Sequence, residues 1–260
     1  MTLDEMFSMR GKICLITGGS RGLGYFMARA FFAAGATRVY ITARKADACR
    51  AAAEALSAFG DCVALPGDLS NMDDITALAD TLKSREPRLD VLVNNAGCAW
   101  LEPFETFPEK GWDKVMNLNV KTPFFLTREL VPLLAAEKSA EDTASVINIG
   151  SIAGICGATD TLSYAPSKSA IHHVTRNLSA LLANQHIRVN AIAPGRFFTT
   201  MTEYASQDQT QYENEIAYIP LHRWGEEKDI GGVAVLLAST AGGFITGEIL
   251  TVDGGTSVVR

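Results

Sequence analysis

Tyr164 and Lys168 stand four positions apart, and Ser151 lies thirteen positions before the tyrosine. Side chains four residues apart share one face of a helix, so the Lys168 ammonium can lie beside the Tyr164 phenol. A phenol titrates near ~10 in water, and a neighbouring cation lowers that pKa because it favours phenolate. Tyr164 is therefore a candidate general acid or base near neutral pH, and the Ser151 hydroxyl is a candidate to bind a carbonyl oxygen.

A glycine-rich loop, Thr17-Gly-Gly-Ser-Arg-Gly-Leu-Gly24, lies near the start of the chain. It follows one predicted strand and opens a predicted helix. Glycines in such a loop permit a tight turn and a close backbone approach to a pyrophosphate, which the helix N-terminus binds. Because the spacing differs from G-x-G-x-x-G, a turn without a ligand is the alternative. The expected cofactor contacts in this loop are Gly18, Ser20, Arg21, Gly22, Leu23 and Gly24.

The second predicted strand ends with basic residues. An acid about 20 residues after the glycine loop would bind the ribose 2′-hydroxyl of NAD. The sequence instead reads Tyr40-Ile-Thr-Ala-Arg44-Lys45, and Arg21 adds another cation. Arginine presents a planar fork of donors that suits a 2′-phosphate. The sequence therefore predicts NADPH/NADP as the cofactor through Arg44, with solvated surface charge as the alternative.

Polar and small residues follow the third and fourth predicted strands. Gly67-Asp68-Leu69 and Asn94-Asn95-Ala96-Gly97 lie where the carboxyl ends of the strands meet the expected site. Asp68 is a candidate acceptor for the adenine amine, and helix N-capping is its alternative role. The two asparagines could equally brace the sheet through local hydrogen bonds. The expected cofactor contacts here are Asp68, Leu69, Asn95, Ala96 and Gly97.

Short apolar runs alternate with longer helical patterns along the chain. Near-continuous apolar strands separated by helices are typical of a parallel sheet covered on both faces. We therefore predict a single domain over residues 1–260 with an α/β, Rossmann-type doubly wound fold and a seven-stranded parallel sheet. The predicted strands are Lys12–Thr17, Arg38–Thr42, Cys62–Leu65, Leu89–Val93, Ser145–Ile149, Ile187–Ile192 and Glu248–Val252. The predicted helices are Leu23–Ala34, Ala46–Phe59, Asn71–Arg85, Trp112–Ala136, Ala165–Asn184 and Glu226–Ser239.

Two segments interrupt this alternation. Glu137–Thr143 is polar and is predicted to be a solvated loop. Residues 196–223 show no strand pattern and follow the C-terminal end of a strand, where ligands of open parallel sheets bind. This second segment is a candidate lid over the site.

The composition argues against several other classes of function. A net charge of −6 without a Lys/Arg run disfavours nucleic acid as a partner. The five cysteines and four histidines show no ligand spacing, so no metal site is expected, and scattered thiols fit a reducing compartment. No apolar run of about 18 residues occurs, and the first residues are acidic where a signal peptide is basic. A cytoplasmic protein without a membrane span is therefore expected.

Taken in order, these motifs resemble those of the short-chain dehydrogenase/reductase family from Gly11 to Gly255. The resemblance implies that Tyr164 protonates a carbonyl oxygen while hydride arrives from the nicotinamide. It implies that Lys168 lowers the pKa of the phenol and holds the nicotinamide ribose, and that Ser151 orients the carbonyl. Asn119 would hold a water that links Lys168 to solvent, with packing or a helix kink as its alternative role. Further cofactor contacts implied by the resemblance are Pro194, Gly195, Phe197 and Thr199.

Within this family the chain is most similar to 3-oxoacyl-acyl-carrier-protein reductases of the rhamnolipid-pathway type. That similarity lies in Ile147–Gly154, Ile192–Phe197 and Pro220–Gly225. It implies a small-molecule carbonyl substrate such as an acyl thioester, and a homo-oligomer that is a tetramer or a dimer. Carrier-protein reductases tend to have basic residues near the end of the catalytic helix, but Leu181–His186 contains no Lys or Arg. Partial compensation by Lys138 and Arg128 is the remaining route to carrier docking.

Aromatic and apolar residues in the candidate lid, together with two after the fourth strand, would suit an apolar or acyl substrate. Packing of the lid on the core or on a neighbouring subunit is the alternative. A charged sugar or hydroxy acid would require a cation, for which Arg196 is the candidate. The residues concerned are Phe197, Phe198, Met201, Tyr204, Tyr212, Tyr218, Trp100 and Leu101.

Three functions remain open at this point. The leading one is an NADPH-dependent carbonyl reductase that uses Ser151, Tyr164 and Lys168. A second is an NAD(P)-linked alcohol or sugar dehydrogenase that works oxidatively. A third is a non-catalytic NADPH-binding sensor, against which the complete set of catalytic residues argues.

Overall fold

The computed structural model describes residues 1–157, 161–199 and 209–259. Seven strands form one parallel sheet in the order β3-β2-β1-β4-β5-β6-β7. The order reverses between β1 and β4, and this reversal opens a crevice at the carboxyl ends of the strands. The strands are β1 Ile13–Thr17, β2 Arg38–Thr42, β3 Asp61–Ala64, β4 Val91–Asn94, β5 Ala144–Ile149, β6 Ile187–Pro194 and β7 Ile249–Val252.

Helices cover both faces of the sheet. The described helices are α1 Leu3–Met6, α2 Gly22–Ala33, α3 Ala46–Leu56, α4 Met72–Arg85, α5 Glu109–Met116, α6 Thr122–Ala135, α7 Tyr164–Leu182, α8 Gln209–Ala217 and α9 Glu227–Ala238. Successive strand side chains point to opposite faces, so the sheet supports two separate cores. Cys14 and Ile16 of β1 pack with α2, α3 and α9, whereas Leu15 packs with α4, α6 and α7.

The predicted α/β fold with seven parallel strands is confirmed, and strand bounds differ from the predicted ones by a few residues at most. The predicted long helix Trp112–Ala136 is wrong in one respect. It consists of α5 and α6 joined by a π-helical segment, Asn117–Lys121. Pro123 follows this segment and has no N–H to donate to the carbonyl four residues earlier, which favours a local widening of the helix.

The two segments predicted to interrupt the alternation differ in structure. The residues between α6 and β5 form no helix or strand, as predicted for Glu137–Thr143. The candidate lid is described only over 196–199 and 209–223, and it contains helix α8, which the sequence pattern did not predict. Met201 and Tyr204 lie outside the described residues.

None of the helices in the described part of the chain has the length and apolar character that a membrane span requires. Within the same residues, no cluster of three or more His, Cys, Asp or Glu side chains is placed to share a metal ion. All five cysteines are free thiols.

Candidate active site

A pocket of about 510 Å³ lies at the carboxyl ends of the strands, over the point where the strand order reverses. The loops after β1, β2, β4, β5 and β6 all contribute to its wall. The sequence-predicted residues that line it are Gly18, Ser20, Arg21, Gly22, Leu23, Arg44, Leu69, Asn95, Ala96, Gly97, Ser151, Tyr164, Lys168, Pro194, Gly195 and Thr199. Gly24, Asp68, Asn119 and Phe197 are the predicted site residues that are not part of the wall.

Tyr164 and Lys168 lie in the first two turns of α7, which begins at the tyrosine. Pro166 occupies the third position of this helix, where a missing N–H costs no internal hydrogen bond. The Lys168 ammonium lies 5.4 Å from the centre of the Tyr164 ring and donates a 2.7 Å hydrogen bond to the Ile149 carbonyl at the end of β5. Ser151 follows the same strand, its hydroxyl accepts the Ala153 N–H at 3.1 Å, and it acts to lower the pKa of Tyr164.

The pKa of the Tyr164 phenol is raised above its usual value, chiefly because burial disfavours the phenolate. The hydrogen bond with Ser151 and the positive charge of Arg196 oppose this effect but do not outweigh it. Lys168 is not among the groups that shift this pKa, so the expectation that it lowers the pKa of the phenol stays a prediction. The ammonium lies over the ring and bonds to a backbone carbonyl instead of solvating the phenolic oxygen.

Burial also acts on Lys168, whose side chain is almost completely enclosed. Desolvation of the charged form lowers the pKa of the ammonium to about 8. A Cβ at position 97 would be in ordinary contact with the lysine nitrogen at 3.7 Å but would crowd the Asn119 amide oxygen at 3.2 Å.

Asn119 lies in the π-helical segment and holds the loop after β4. Its side-chain amide accepts a hydrogen bond from the Cys98 N–H and donates one to the Cys98 carbonyl, both at 2.9 Å. It also donates to the Ser167 hydroxyl at 2.9 Å, and Ser167 donates to the Tyr164 carbonyl at 2.6 Å. Asn119 thus fastens the loop to the start of α7, and its predicted role in holding a water stays a prediction.

The glycine loop is packed tightly against the turn after β4. A Cβ on Gly24 would come within 2.6 Å of the Asn95 side chain, and Gly18 has a φ of +65°. The Asn95 amide donates to the carbonyls of Thr17 and Gly18, at 2.8 and 3.1 Å. The Thr17 hydroxyl accepts the N–H groups of Asn95 and Ala96, both at 2.9 Å. Gly24 therefore serves this packing and does not form part of the wall.

Asn94 confirms the alternative structural role. Its side chain is 4% exposed and donates to Thr127 at 3.2 Å and to Asn148 at 2.9 Å. Asn148 in turn donates to the Thr175 hydroxyl of α7 at 2.9 Å. This chain of hydrogen bonds ties β4, β5, α6 and α7 together under the pocket.

Basic side chains surround the far end of the pocket from Tyr164. Arg44 and Lys45 follow β2, and Arg21 lies in the glycine loop. Together with Lys168 they give the pocket four cationic wall residues, and none of the described wall residues is an Asp or Glu. The wall therefore favours an anionic ligand.

Asp68 lies between the wall residues Gly67 and Leu69 but is not itself part of the wall. Its carboxylate accepts the Ser70 N–H at 3.1 Å. The alternative role as helix cap is wrong, because Asn71 caps α4 by accepting the Asp74 N–H at 2.9 Å. An adenine contact by Asp68 stays a prediction.

Two aromatic residues of the candidate lid, Phe198 and Tyr212, pack against each other, with 5.8 Å between their ring centres. Phe198 and Tyr212 both contact the fully buried ring of Trp224, at 4.8 and 5.2 Å between ring centres. Phe197 is 4% exposed and packs into the core beside Gly225. Of the two cofactor contacts predicted after Pro194-Gly195, only Thr199 lines the pocket.

Sequence reasoning missed several residues that build this site. Thr17 and Ser167 have no charge or motif that marks them, and only their positions beside Asn95 and Asn119 give them a role. Wall residues that were not predicted are Thr42, Ala43, Lys45, Ala48, Gly67, Cys98, Leu118, Ile149 and Gly150. The position after a strand was the available signal for most of them, but Ala48 lies in α3 and Leu118 in the π-helical segment.

The fold and this pocket define a dinucleotide-binding oxidoreductase, and the chain belongs to the short-chain dehydrogenase/reductase family. A family profile described as "Enoyl-(Acyl carrier protein) reductase" matches residues 18–257. The matched span contains the glycine-loop contacts from Gly18 onward and all four catalytic candidates.

Several individual proteins are similar over their full length. The chain is 47% identical to the rhamnolipids biosynthesis 3-oxoacyl-(acyl-carrier-protein) reductase of Pseudomonas aeruginosa, with coverage of 97% of this chain and 99% of that protein. It is 35% identical to 5-keto-D-gluconate 5-reductase of Escherichia coli, with coverage of 98% and 99%. A solved structure described as a Pseudomonas aeruginosa RhlG/NADP active-site complex matches with a TM-score of 0.94 and 46% identity, over 97% of this chain and 99% of that one.

Proposed function

We propose that this protein is an NADPH-dependent carbonyl reductase that reduces a 3-oxoacyl thioester or a related apolar ketone to the hydroxy product. The observation that carries the proposal is the meeting of Ser151, Tyr164 and Lys168 in one pocket whose described wall is basic and free of acids. A reductase in the short-chain family requires a proton donor next to the nicotinamide, and this arrangement provides one.

The residues of the pocket fit the cofactor. The glycine loop precedes the N-terminus of α2, where backbone N–H groups favour a pyrophosphate. A φ of +56° at Gly22 is available to glycine at little cost, and a side chain there would approach Thr199. Arg44, Lys45 and Arg21 would hold the 2′-phosphate of NADP. The similar structure described as an RhlG/NADP complex supports this choice.

When bound, NADPH supplies a hydride for the carbonyl carbon. Ser151 binds the carbonyl oxygen by a hydrogen bond, and Tyr164 transfers its phenolic proton to that oxygen. Lys168 would hold the nicotinamide ribose, and its ammonium, 5.4 Å from the centre of the Tyr164 ring, places a positive charge near the phenolate without bonding to its oxygen. Burial keeps the phenol protonated, so Tyr164 holds the proton that a general acid donates to the carbonyl oxygen.

The 3-oxoacyl substrate rests mainly on the 47% identical reductase from Pseudomonas aeruginosa. The sugar-acid reductase relative raises a second class of substrate, which would need a cation for its carboxylate. Arg196 acts electrostatically on Tyr164, but its guanidinium is paired with Glu215 at 3.4 Å. This pairing reduces the charge available to an anionic substrate, so we favour the apolar acyl class.

Replacement of Tyr164 by Phe tests the proposal. Tyr164→Phe removes the proton donor and should lower kcat by at least about 100-fold, since general acid catalysis contributes that much. The Kd for NADPH, measured by fluorescence titration, should change by less than about threefold. Tyr218→Phe is the control, because Tyr218 is 68% exposed and lies outside the pocket wall. Unchanged turnover of Tyr164→Phe would refute the assignment.

A substrate panel distinguishes the remaining alternatives. It should contain 3-oxoacyl chains of graded length, free, as CoA thioesters and on a carrier protein, together with a 5-keto sugar acid. Rates that rise with acyl length support the acyl substrate, whereas turnover of the sugar acid alone refutes it. Tight NADPH binding without turnover of any member would favour the sensor.

A further inference from the structure

The side chain of His172 fills the space beside Gly150, the residue that directly precedes Ser151. A Cβ built on Gly150 would lie 2.1 Å from the His172 Nε2 atom and 2.7 Å from its Cδ2 atom. The Gly150 N–H donates a 2.7 Å hydrogen bond to the Ile192 carbonyl of β6, and the same oxygen would lie 3.2 Å from that Cβ. Gly150 thus contacts both the imidazole of α7 and the backbone of β6.

His172 follows Lys168 by four residues, so both side chains project from one face of α7. Lys168 bonds to the Ile149 carbonyl, and His172 contacts the next residue, Gly150. Two successive turns of α7 therefore hold the two residues that immediately precede Ser151.

The imidazole contributes volume at this position, and it is uncharged near neutral pH. Its exposed fraction is 5%, and Nε2 is buried with no hydrogen-bond partner within the described structure. Burial lowers the pKa of His172 to about 4, and the nearby charges of Lys168 and Arg176 act in the same direction. A neutral ring whose Nε2 atom has no hydrogen bond cannot position Gly150 by charge. Close packing is therefore the interaction by which His172 acts on Gly150.

We infer that His172 is a positioning residue, which holds the Gly150–Ser151 corner in place by occupying the space where a side chain at position 150 would lie. The fixed corner aims the Ser151 hydroxyl at the same point as the Tyr164 phenol. This inference rests on the proposed function, in which Ser151 binds the substrate carbonyl.

Two substitutions, one that adds side-chain volume at position 150 and one that removes it at position 172, test the inference. Gly150→Ala places a methyl group on the imidazole and should lower kcat by about 100-fold, as displacement of a reacting group by about 1 Å does. His172→Ala in the same chain removes the overlap with the imidazole, though not the 3.2 Å contact with the Ile192 oxygen, and should restore kcat at least tenfold over Gly150→Ala. The KM for NADPH should stay within threefold throughout, because most of its contacts lie at the other end of the pocket. Failure of the second substitution to restore kcat would overturn the inference.

Gly154 provides a matched control. A Cβ there would lie 2.6 to 2.9 Å from the backbone of Lys168 and Ser169, which no side-chain truncation removes. His172→Ala should therefore give no recovery in a Gly154→Ala background. Recovery in both backgrounds would show a general loosening of α7 and would contradict a specific role at Gly150.

A single conservative variant separates the effect of side-chain volume from the effect of the imidazole nitrogens. His172→Leu retains most of the volume and should keep kcat within about threefold, whereas His172→Ala alone should lose about tenfold. Equal losses in the two variants would assign the effect to the imidazole nitrogens and overturn packing as the cause.

Urea unfolding tests the packing independently of turnover. The combined Gly150→Ala, His172→Ala variant should show a smaller fall in urea midpoint than the sum of the two single falls, because residues in contact are not additive. Additive falls would overturn the inference. A wild-type protein without turnover on the substrate panel would refute the proposed function, and the unfolding data would still decide whether the two residues share one space.

Discussion

Burial, a hydrogen bond and a nearby charge act in opposite directions on the pKa of the Tyr164 phenol. Burial raises its pKa, while the hydrogen bond with Ser151 and the charge of Arg196 lower it. A group that donates a proton in reduction must hold that proton before the hydride arrives. Tyr164 holds this proton at neutral pH, as an ordinary phenol would, while the net rise in its pKa makes it a weaker acid.

Lys168 sets the pH limit of the proposed reaction. Its folded-state pKa is about 8, below the usual lysine value, so the ammonium is present below that pH and is lost as the pH rises through it. Since kcat/KM reports ionisations of the free enzyme, kcat/KM for NADPH should be level below pH 8 and fall above it. A pH–rate profile in the reductive direction measures this limb.

The variant Lys168→Arg provides the control for this limb. Arginine stays charged over the whole range, so the fall above pH 8 should disappear even if the maximal rate is lower. Persistence of the same limb in Lys168→Arg would attribute it to another group and contradict the assignment.

Arg44 determines the cofactor preference in our proposal. Arg44→Asp removes a fork of donors and places a carboxylate where the 2′-phosphate would bind, so affinity for NADPH should fall at least tenfold. Affinity for NADH should change little or improve, because a carboxylate can bind a 2′-hydroxyl. Titrations with both cofactors measure the ratio. Arg50→Asp is the control, since Arg50 lies outside the pocket and pairs with Asp47. Equal losses of affinity for NADPH and NADH in Arg44→Asp would contradict the assignment.

At the scale of elements, the π-helical segment Asn117–Lys121 shows what periodicity cannot predict. Its residues continue the apolar pattern of a single long helix, and the sequence was interpreted in that way. Pro123 was the available signal, because it removes one donor from the helical ladder. The widened turn places the Asn119 side chain against Cys98 and Ser167.

Asn119→Ala should affect both stability and turnover. It leaves the N–H and carbonyl of Cys98 without their side-chain partner, at a cost of about 1 to 3 kcal/mol in the free energy of unfolding. The loop beside Lys168 would lose its fastening to α7, so kcat should also fall. Asn117→Ala in the same segment is the control. A stable Asn119→Ala variant with normal kcat would contradict this role.

The strand-end motifs were predictable because each follows from local chemistry. The chemistry of three motifs can be inferred before the fold is known. They are the glycines that precede a helix, the arginine after β2 and the Tyr–Lys pair on a helix. The contacts of Thr17 with Asn95, and of His172 with Gly150, join residues more than 20 positions apart in sequence. Such contacts depend on how β1, β4, β5 and α7 pack, so the sequence alone did not identify them.

At the scale of the whole molecule, the two ends of the sheet differ in function. The carboxyl ends of the strands form the pocket, whereas a group of charged side chains lies at the opposite end of the sheet. Asp90 is 3% exposed and accepts the Ile13 N–H at 2.8 Å, the Lys138 ammonium at 2.5 Å and a longer contact from Arg88. This group links β1, β4 and the loop before β5.

Lys138 therefore does not compensate for the missing basic residues at the end of α7. Its side chain is 1% exposed and is paired with Asp90 and Asp142. Arg128 is paired with Glu129 and stacks on Phe125. The contribution to carrier docking that the sequence left open for Lys138 is therefore wrong. The homo-oligomer stays a prediction, which light scattering can test.

Removal of Lys138 should destabilise the protein without altering its chemistry. Lys138→Ala leaves the buried carboxylate of Asp90 with only the backbone donor and Arg88, and loss of one partner of a buried pair costs about 3 kcal/mol or more. Urea unfolding measures that loss, and kcat should stay within about twofold because the pair lies at the end of the sheet opposite the pocket. Lys228→Ala is the matched control: its ammonium is 73% exposed and pairs with Glu226, so its removal should cost less than about 1 kcal/mol. A Lys138→Ala variant as stable as Lys228→Ala would mean that the Asp90 carboxylate is sufficiently solvated without the lysine. That result would contradict our view that one end of the sheet stabilises the fold while the other end holds the reacting groups.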